Sequence, residues 1–303
     1  MSGGERLAAP TSALVRMVIG AALISTTAIF VRYAHVAPTV SAFYRVAFGG
    51  AMLVALLAAR RQWRGLTFSD AAWLVLPAFA FAVDLMMWHR SIQLIGPGLA
   101  TLIGNFQVFV MALAGVLFYR ERLGWRFALG VALAMYGLWL LVGTGWHALT
   151  PDYRWGVLLG VLTGIAYAVY MLSMRRAQMK RSALTPERTL CVTSLICAAM
   201  LGLAVAGEGE SFAIPDAQSW SALLMLAFVG QVLGWVLIAR AMPQLPPSTV
   251  GLFLLLQPAL SFALDVALFA RPAAARDWIG LALSLIGIFV ASQRARAPRL
   301  LAE

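Results

Sequence analysis

The sequence has little charge and almost no lysine. Charged residues make up 12% of the 303 positions, about half of the share that is usual in soluble domains, whereas hydrophobic residues make up 62%. A chain of this composition has too few polar side chains to cover an apolar core. It is therefore excluded from the ordinary soluble domains and is expected to be an integral membrane protein.

Cysteine is scarce, and the usual motifs of catalysis and cofactor binding are missing. Cys191 and Cys197 lie six positions apart in one apolar run, about 120° from each other on a helix, so they predict neither a disulfide nor a metal site. The sequence contains no phosphate-binding glycine loop, HExxH, GxSxG or CxxC motif. We therefore expect no cofactor, no metal and no catalytic residues.

Basic residues exceed acidic ones by 23 to 12, and they lie mostly in short clusters between apolar runs. In a soluble protein this excess would suggest nucleic acid as a partner. Here the distribution indicates membrane topology, because cytoplasmic loops carry the excess of Lys and Arg. The expected partners are the lipid bilayer and a small-molecule substrate, with no nucleic acid.

Apolar runs bounded by charge, Pro or Gly predict an all-α membrane protein with ten transmembrane helices. A spanning helix needs about 20 mostly apolar residues. The predicted spans lie near residues 13–34, 38–59, 70–93, 97–119, 125–143, 154–176, 186–206, 217–240, 247–269 and 275–293.

The loop charges predict that both termini face the cytoplasm. Seventeen of the Lys and Arg residues fall on the side of the N-terminus and five on the other, while Arg45 lies within a span. The chain is expected to cross its membrane many times.

A comparison of the chain with itself at a shift of 150 residues indicates an internal repeat. The matches that carry most weight are Pro97 with Pro247, Gln107 with Gln257, Arg126 with Arg276, Gly130 with Gly280, and Gly137 with Gly287. Residues 1–150 and 151–303 would each hold five helices. Because five is odd, the second half would enter the membrane in the opposite orientation, which is a recurrent plan of secondary transporters.

The stretch from Pro97 to Leu141 resembles the drug/metabolite transporter superfamily, EamA type, through Glu121 and the two glycines Gly130 and Gly137. The second copy resembles it through Gln257 and Pro258 and departs from it at Arg271, where the family pattern is acidic. The chain is most similar to the YddG-type aromatic amino acid exporters. This resemblance implies amino acid efflux across the bacterial inner membrane, which is the expected location, through a central cavity with the fifth and tenth helices at the periphery.

Ionisable residues within spans are costly and are therefore functional candidates. Arg45 and Asp84 fall at matching depths, so they predict either a pair that lines or gates a cavity or a structural ion pair. Asp265 is expected to meet Arg271 or water. His89 lies near the end of its span and is either an interfacial group or a proton relay.

Helical spacing places several polar and aromatic side chains on shared faces, which predicts either a cavity wall or a packing face. Asn105 lies about 200° from Gln107 on a continuous helix, so these two amides are not expected to point into one cavity. The candidate substrate-binding residues are Thr27, Tyr44, Phe81, Asp84, Trp88, Asn105, Gln107, Tyr167, Tyr170, Gln231, Trp235 and Gln257, and the candidate gating residues are Arg45, Asp84 and His89.

The function predicted from these features is export of amino acids with aromatic or other apolar side chains, or of similar metabolites, by alternating access. One alternative is a membrane enzyme acting on lipid, with Asp84 and His89 as acid and base. Another is a scaffold that transports nothing. The oligomeric state stays open, since the glycine faces of the fifth and tenth helices can pack within one protomer or between two.

Overall fold

The computed structural model describes residues 11–61, 67–119, 124–180, 185–241, 244–245 and 253–292. These residues form helices joined by short connections, and they contain no β-strand. The helices are α1 (Thr11–Ser25), α2 (Thr27–Tyr33), α3 (Pro38–Ala59), α4 (Phe68–Trp73), α5 (Val75–Ile95), α6 (Pro97–Gly104), α7 (Gln107–Tyr119), α8 (Trp125–Val142), a 3₁₀-helix (Gly143–Ala148), α9 (Pro151–Lys180), α10 (Pro186–Glu208), α11 (Ala217–Met225), a π-helix (Leu226–Gly234), α12 (Trp235–Ala241), α13 (Leu256–Phe269) and α14 (Ala275–Ser292).

Seven stretches of these helices are long and apolar enough to cross a bilayer, which confirms the all-α membrane class. They are Thr11–Tyr33, Pro38–Ala59, Pro97–Leu117, Trp125–Val142, Pro151–Lys180, Pro186–Glu208 and Ala217–Ile238. A shorter apolar helix covers Leu256–Phe269. The start of the predicted ninth span, near residue 247, lies outside the described residues.

Local sequence explains where several helices begin. Pro38, Pro97 and Pro186 each stand in the first turn, where a missing N–H costs nothing because that group has no partner within the helix. At the start of α4, Thr67 and Asp70 form a reciprocal capping box. These signals are short-range and can be read from the sequence directly.

Five predicted continuous helices are interrupted: the third at Leu74, the ninth at Leu255, and three others that bear on the site. The first is divided at Thr26, where three successive hydroxyls donate to carbonyls three residues earlier, at 2.6–2.7 Å. Such bonds compete with the helix ladder and bend helices. The fourth is divided at Asn105 and Phe106, and the eighth passes through the π-helix before α12. Each interruption changes which side chains share a face.

Helices α8 and α14 pack against each other within one chain. A Cβ atom built on Gly137 would lie 2.5 Å from the Gly280 oxygen, and one built on Gly130 would lie 2.6 Å from the Gly287 oxygen. The pairing runs in reverse order along the sequence, so the two helices are antiparallel. The glycine faces of the predicted fifth and tenth helices, which could pack within one protomer or between two, therefore pack against each other within one protomer.

The other helices pair between the first and second parts of the chain. Helix α3 packs on α10, α5 on α9, α6 on α13, and α1 on α12 and the π-helix. Glycines permit several of these close approaches, as at Gly20, where a Cβ atom would lie 3.0 Å from the Gly234 oxygen. The space between the helices is thus bounded by residues from both parts of the chain.

Candidate functional site

A cavity of about 150 Å³ lies between helices α1, α2, α3, α5, α6, α7, α9, α12 and α13. Polar groups face it from several helices, and aromatic rings form much of the remaining wall. The lining residues are Ile24, Thr27, Arg45, Phe81, Asp84, Leu85, Trp88, Thr101, Gly104, Asn105, Gln107, Thr163, Tyr167, Met171, Trp235, Leu254 and Gln257.

Ten of the fourteen predicted site residues lie on this wall: Thr27, Arg45, Phe81, Asp84, Trp88, Asn105, Gln107, Tyr167, Trp235 and Gln257. The other four, Tyr44, His89, Tyr170 and Gln231, do not. The structure thus brings most of the set together around one space. That any of these residues contacts a substrate stays a prediction.

Two side chains of opposite charge line the cavity without forming an ion pair with each other. Arg45 and Asp84 are both 5% exposed, and both face the same space. Among the described residues, no contact within 4.0 Å joins the guanidinium to the Asp84 carboxylate. Arg45 instead donates from Nε to Gln231 Oε1 at 3.4 Å, and its Cζ lies 5.3 Å from the centre of a Trp88 ring. Both side chains therefore remain available to a solute in the cavity.

Asn105 and Gln107 both line the cavity, which corrects the expectation that they could not face one space. The 200° separation assumes a continuous helix, but α6 ends at Gly104 and α7 begins at Gln107. Asn105 Nδ2 donates to the Thr101 carbonyl at 2.8 Å in the interrupted turn. Together with Gln257, the wall therefore presents three neutral amides.

The aromatic residues divide into a wall and a supporting layer. Phe81, Trp88, Tyr167 and Trp235 line the cavity. Tyr170 instead stacks on Phe81, with ring centres 4.6 Å apart, and is 5% exposed. Tyr44, the other predicted aromatic residue off the wall, donates from its hydroxyl to the Phe212 carbonyl at 2.6 Å.

His89 lies inside the protein and does not line the cavity. It is fully buried, and both of its ring nitrogens lack a hydrogen-bond partner among the described residues. Its ring meets the edge of the Trp88 ring with centres 5.4 Å apart. The acid and base of the hypothetical lipid enzyme, Asp84 and His89, therefore do not face one cavity.

One end of the bundle, which carries His35, Arg90 and Arg271 and which we call the far face, holds polar contacts between distant parts of the chain. Arg271 Nη1 lies 3.2 Å from Asp265 Oδ2, which confirms the predicted contact, and also donates to the Ile95 carbonyl at 3.0 Å. The backbone N–H of Gly98 donates to the same carboxylate oxygen. At Gly96 the backbone has φ +86°, and a Cβ atom there would lie 2.7 Å from Asp265 Oδ2. Only glycine fits both requirements.

Further polar contacts on the far face join segments that sequence reasoning did not connect. Arg90 pairs with Glu208 at 2.6 Å, and His35 Nδ1 lies 2.9 Å from Asp216 Oδ2. The backbone N–H of Ser219, and secondarily His35, lowers the pKa of Asp216. No local signal in the sequence identifies these partners, since they lie 118 and 181 positions apart.

Comparisons with known proteins show similarity along most of the chain. Residues 11–143 and 154–293 each match the EamA-like transporter family. The chain is 26% identical over 263 residues to the uncharacterized inner membrane transporter YhbE of Escherichia coli (strain K12), covering 84% of this chain and 79% of that protein.

It is also 30% identical over 236 residues to the threonine/homoserine exporter RhtA of Salmonella typhimurium (strain SL1344), covering 74% of this chain and 71% of the relative. A solved structure described as "Crystal structure of protein" has a TM-score of 0.66 at 21% identity, covering 93% of this chain and 98% of that one. That likeness shows the fold alone.

Proposed function

This chain belongs to the EamA-like transporter family, and from that premise we propose that it exports amino acids across the bacterial inner membrane by alternating access. The observation that carries the proposal is the presence of Arg45 and Asp84 on one cavity wall with no ion pair between them. Ionisable groups inside a membrane protein are costly when they lack a direct ion-pair partner, so they point to a ligand that supplies one.

A zwitterionic amino acid supplies both partners at once. Its carboxylate matches the guanidinium of Arg45, and its ammonium matches the carboxylate of Asp84. The amides of Asn105, Gln107 and Gln257 can satisfy the remaining donors and acceptors. A solute with only one of these charges would leave one wall residue uncompensated.

The size of the cavity favours a small side chain. An apolar protein cavity of about 150 Å³ holds a molecule the size of benzene, and this cavity has a similar volume. Threonine is closer to that size than tryptophan is. The name of a relative, the threonine/homoserine exporter RhtA, supports the same choice. Small amino acids are therefore our proposed cargo, ahead of the aromatic ones that the YddG-type resemblance implies.

We place the cavity between two inverted five-helix repeats, residues 1–150 and 151–303, with both termini in the cytoplasm. Two successive family matches support the repeat. The antiparallel contact of α8 with α14 supports its inversion. At a shift of 150, Gly130 is equivalent to Gly280 and Gly137 to Gly287, and the contacts are crossed, Gly130 with Gly287 and Gly137 with Gly280, as a two-fold axis between the helices would give. An exporter with this plan alternates by rocking one repeat against the other around the site.

The test is counterflow in proteoliposomes containing the purified full-length chain. We expect exchange of L-threonine and other small amino acids, with the cargo recovered chemically unaltered by mass spectrometry. Arg45→Gln and Asp84→Asn should each reduce exchange at least about tenfold, the size of one lost interaction of about 1.4 kcal/mol. Arg126→Gln, a change at an exposed arginine away from the cavity, is the matched control. Absence of exchange for every amino acid tested in the wild type would refute the proposal.

A further inference from the structure

Arg45 is held from one edge of its guanidinium. Its Nε donates to Gln231 Oε1 at 3.4 Å, and its two Nη atoms have no hydrogen-bond partner among the described residues. The residue lies on the cavity wall. A guanidinium carries five N–H donors in a rigid plane and binds a carboxylate through two of them in parallel. The arrangement leaves the Nη donors free for a carboxylate in the cavity.

Gln231 is itself fixed behind the wall. It is fully buried, and its Nε2 donates to Ser194 Oγ at 2.9 Å. Because Arg45 Nε can only donate, the amide atom that faces it is the oxygen, which leaves Nε2 to donate to Ser194. Gly49 makes room for the side chain, since a Cβ atom there would lie 2.6 Å from Gln231 Cγ. The amide therefore has one position and one orientation.

The π-helix places Gln231 in that position. On an α-helix, Gln231 and Trp235 would share a face four residues apart and would both line the cavity. A π-helix bonds i to i+5, which turns successive side chains by a different angle, and such segments are frequent at functional sites. In the structure Trp235 lines the cavity, whereas Gln231 lies behind Arg45.

We propose that Gln231 is a positioning residue that orients Arg45 for the carboxylate of the substrate. This inference rests on the function proposed above. A neutral amide suits the task because it accepts a hydrogen bond from Nε without neutralising the guanidinium. A carboxylate at the same position would pair with Arg45 and compete with the substrate.

The test compares L-threonine with L-threoninamide, which keeps the side chain and the amine but lacks the carboxylate. KM and maximal exchange rate are measured for both in proteoliposomes. In Gln231→Leu we expect KM for threonine to rise about tenfold, as for the loss of one hydrogen bond to a charged group. We expect KM for threoninamide and both maximal rates to stay within about twofold.

Two further variants separate positioning from packing. Gln231→Glu keeps the size and polarity of the side chain. It should remove the preference for threonine over threoninamide, because its carboxylate neutralises Arg45. It also tests the proposal if Gln231→Leu does not fold. Ser194→Ala should raise KM for threonine in the same direction by a smaller factor. Ser261→Ala, which also removes a buried hydroxyl bond, to the Ser25 carbonyl, is the matched control and should leave the preference unchanged.

The outcomes distinguish this inference from the function on which it rests. If the wild type does not prefer threonine to threoninamide, recognition of the carboxylate is refuted. The proposed role of Gln231 is then refuted as well, because it depends on that recognition. If the wild type shows the preference and both Gln231 variants retain it, only the role of Gln231 is refuted. An equal rise in KM for both compounds would also refute it, since that result indicates general loss of packing.

Discussion

The contact between α8 and α14 allows one stability prediction to be worked out from geometry. In Gly137→Ala, the new methyl group would lie 2.5 Å from the Gly280 oxygen, the Ser284 nitrogen and Ser284 Oγ. Ordinary carbon–oxygen contacts are about 3.3–3.6 Å. Two of these three atoms belong to the backbone, so no change of rotamer relieves the overlap. The helices must therefore separate by roughly 1 Å.

This separation sets the expected magnitude. A gap of about 0.5–1 Å removes roughly a quarter to a half of the dispersion energy of each atom pair, and overpacking of this kind costs about 1–3 kcal/mol. The higher helix propensity of alanine gives little compensation, because helices that separate inside a membrane remain helical. We therefore expect Gly137→Ala to lower the free energy of unfolding by about 1–3 kcal/mol.

The assay is detergent-induced unfolding of the purified protein, with size-exclusion chromatography in parallel. Gly207→Ala is the matched control, because a Cβ atom on that helical glycine would meet nothing within 4 Å. Equal stability of the two variants would refute the close approach of α8 and α14. A change of oligomeric state in Gly137→Ala without loss of stability would show instead that this face joins two protomers.

Three further predictions concern the far face and the cavity. Asp265→Asn should lower the free energy of unfolding by about 1–3 kcal/mol, since it removes the charge facing Arg271 at a site that is 2% exposed; an unchanged unfolding midpoint would contradict this. The pKa of Asp216 lies below its ordinary value of 3.8 in the folded protein, so its stabilising effect is present above that pH and lost as the pH falls through the folded pKa. Asp216→Asn should therefore flatten the acid limb of a stability curve as the pH falls below 3.8, and parallel curves would argue against the contact. Trp88→Ala should raise KM for the cargo because the ring lines the cavity, whereas Tyr170→Phe, which keeps the stack on Phe81, should leave exchange unchanged; the reverse pattern would exchange their roles.

The sequence by itself determined the class of the protein and the identity of its buried charges. Hydropathy and composition depend only on which residues are present, so the all-α membrane fold and most helix bounds follow from them. Rare ionisable residues in apolar runs stand out in the same way, as Arg45 and Asp84 do. The contact of Asp265 with Arg271 was also predictable, because the two lie six positions apart.

The tertiary structure alone decided how these residues are arranged around the cavity. The angle between Asn105 and Gln107 depends on an interruption of the helix, and the direction of Gln231 depends on a π-helix. Helical periodicity assumes a continuous helix and gives the wrong face when that assumption fails. The contact of Gln231 with Arg45 spans 186 positions, and the burial of His89 depends on helices from across the bundle. Such contacts are set by packing between distant segments, which no local pattern in the sequence contains.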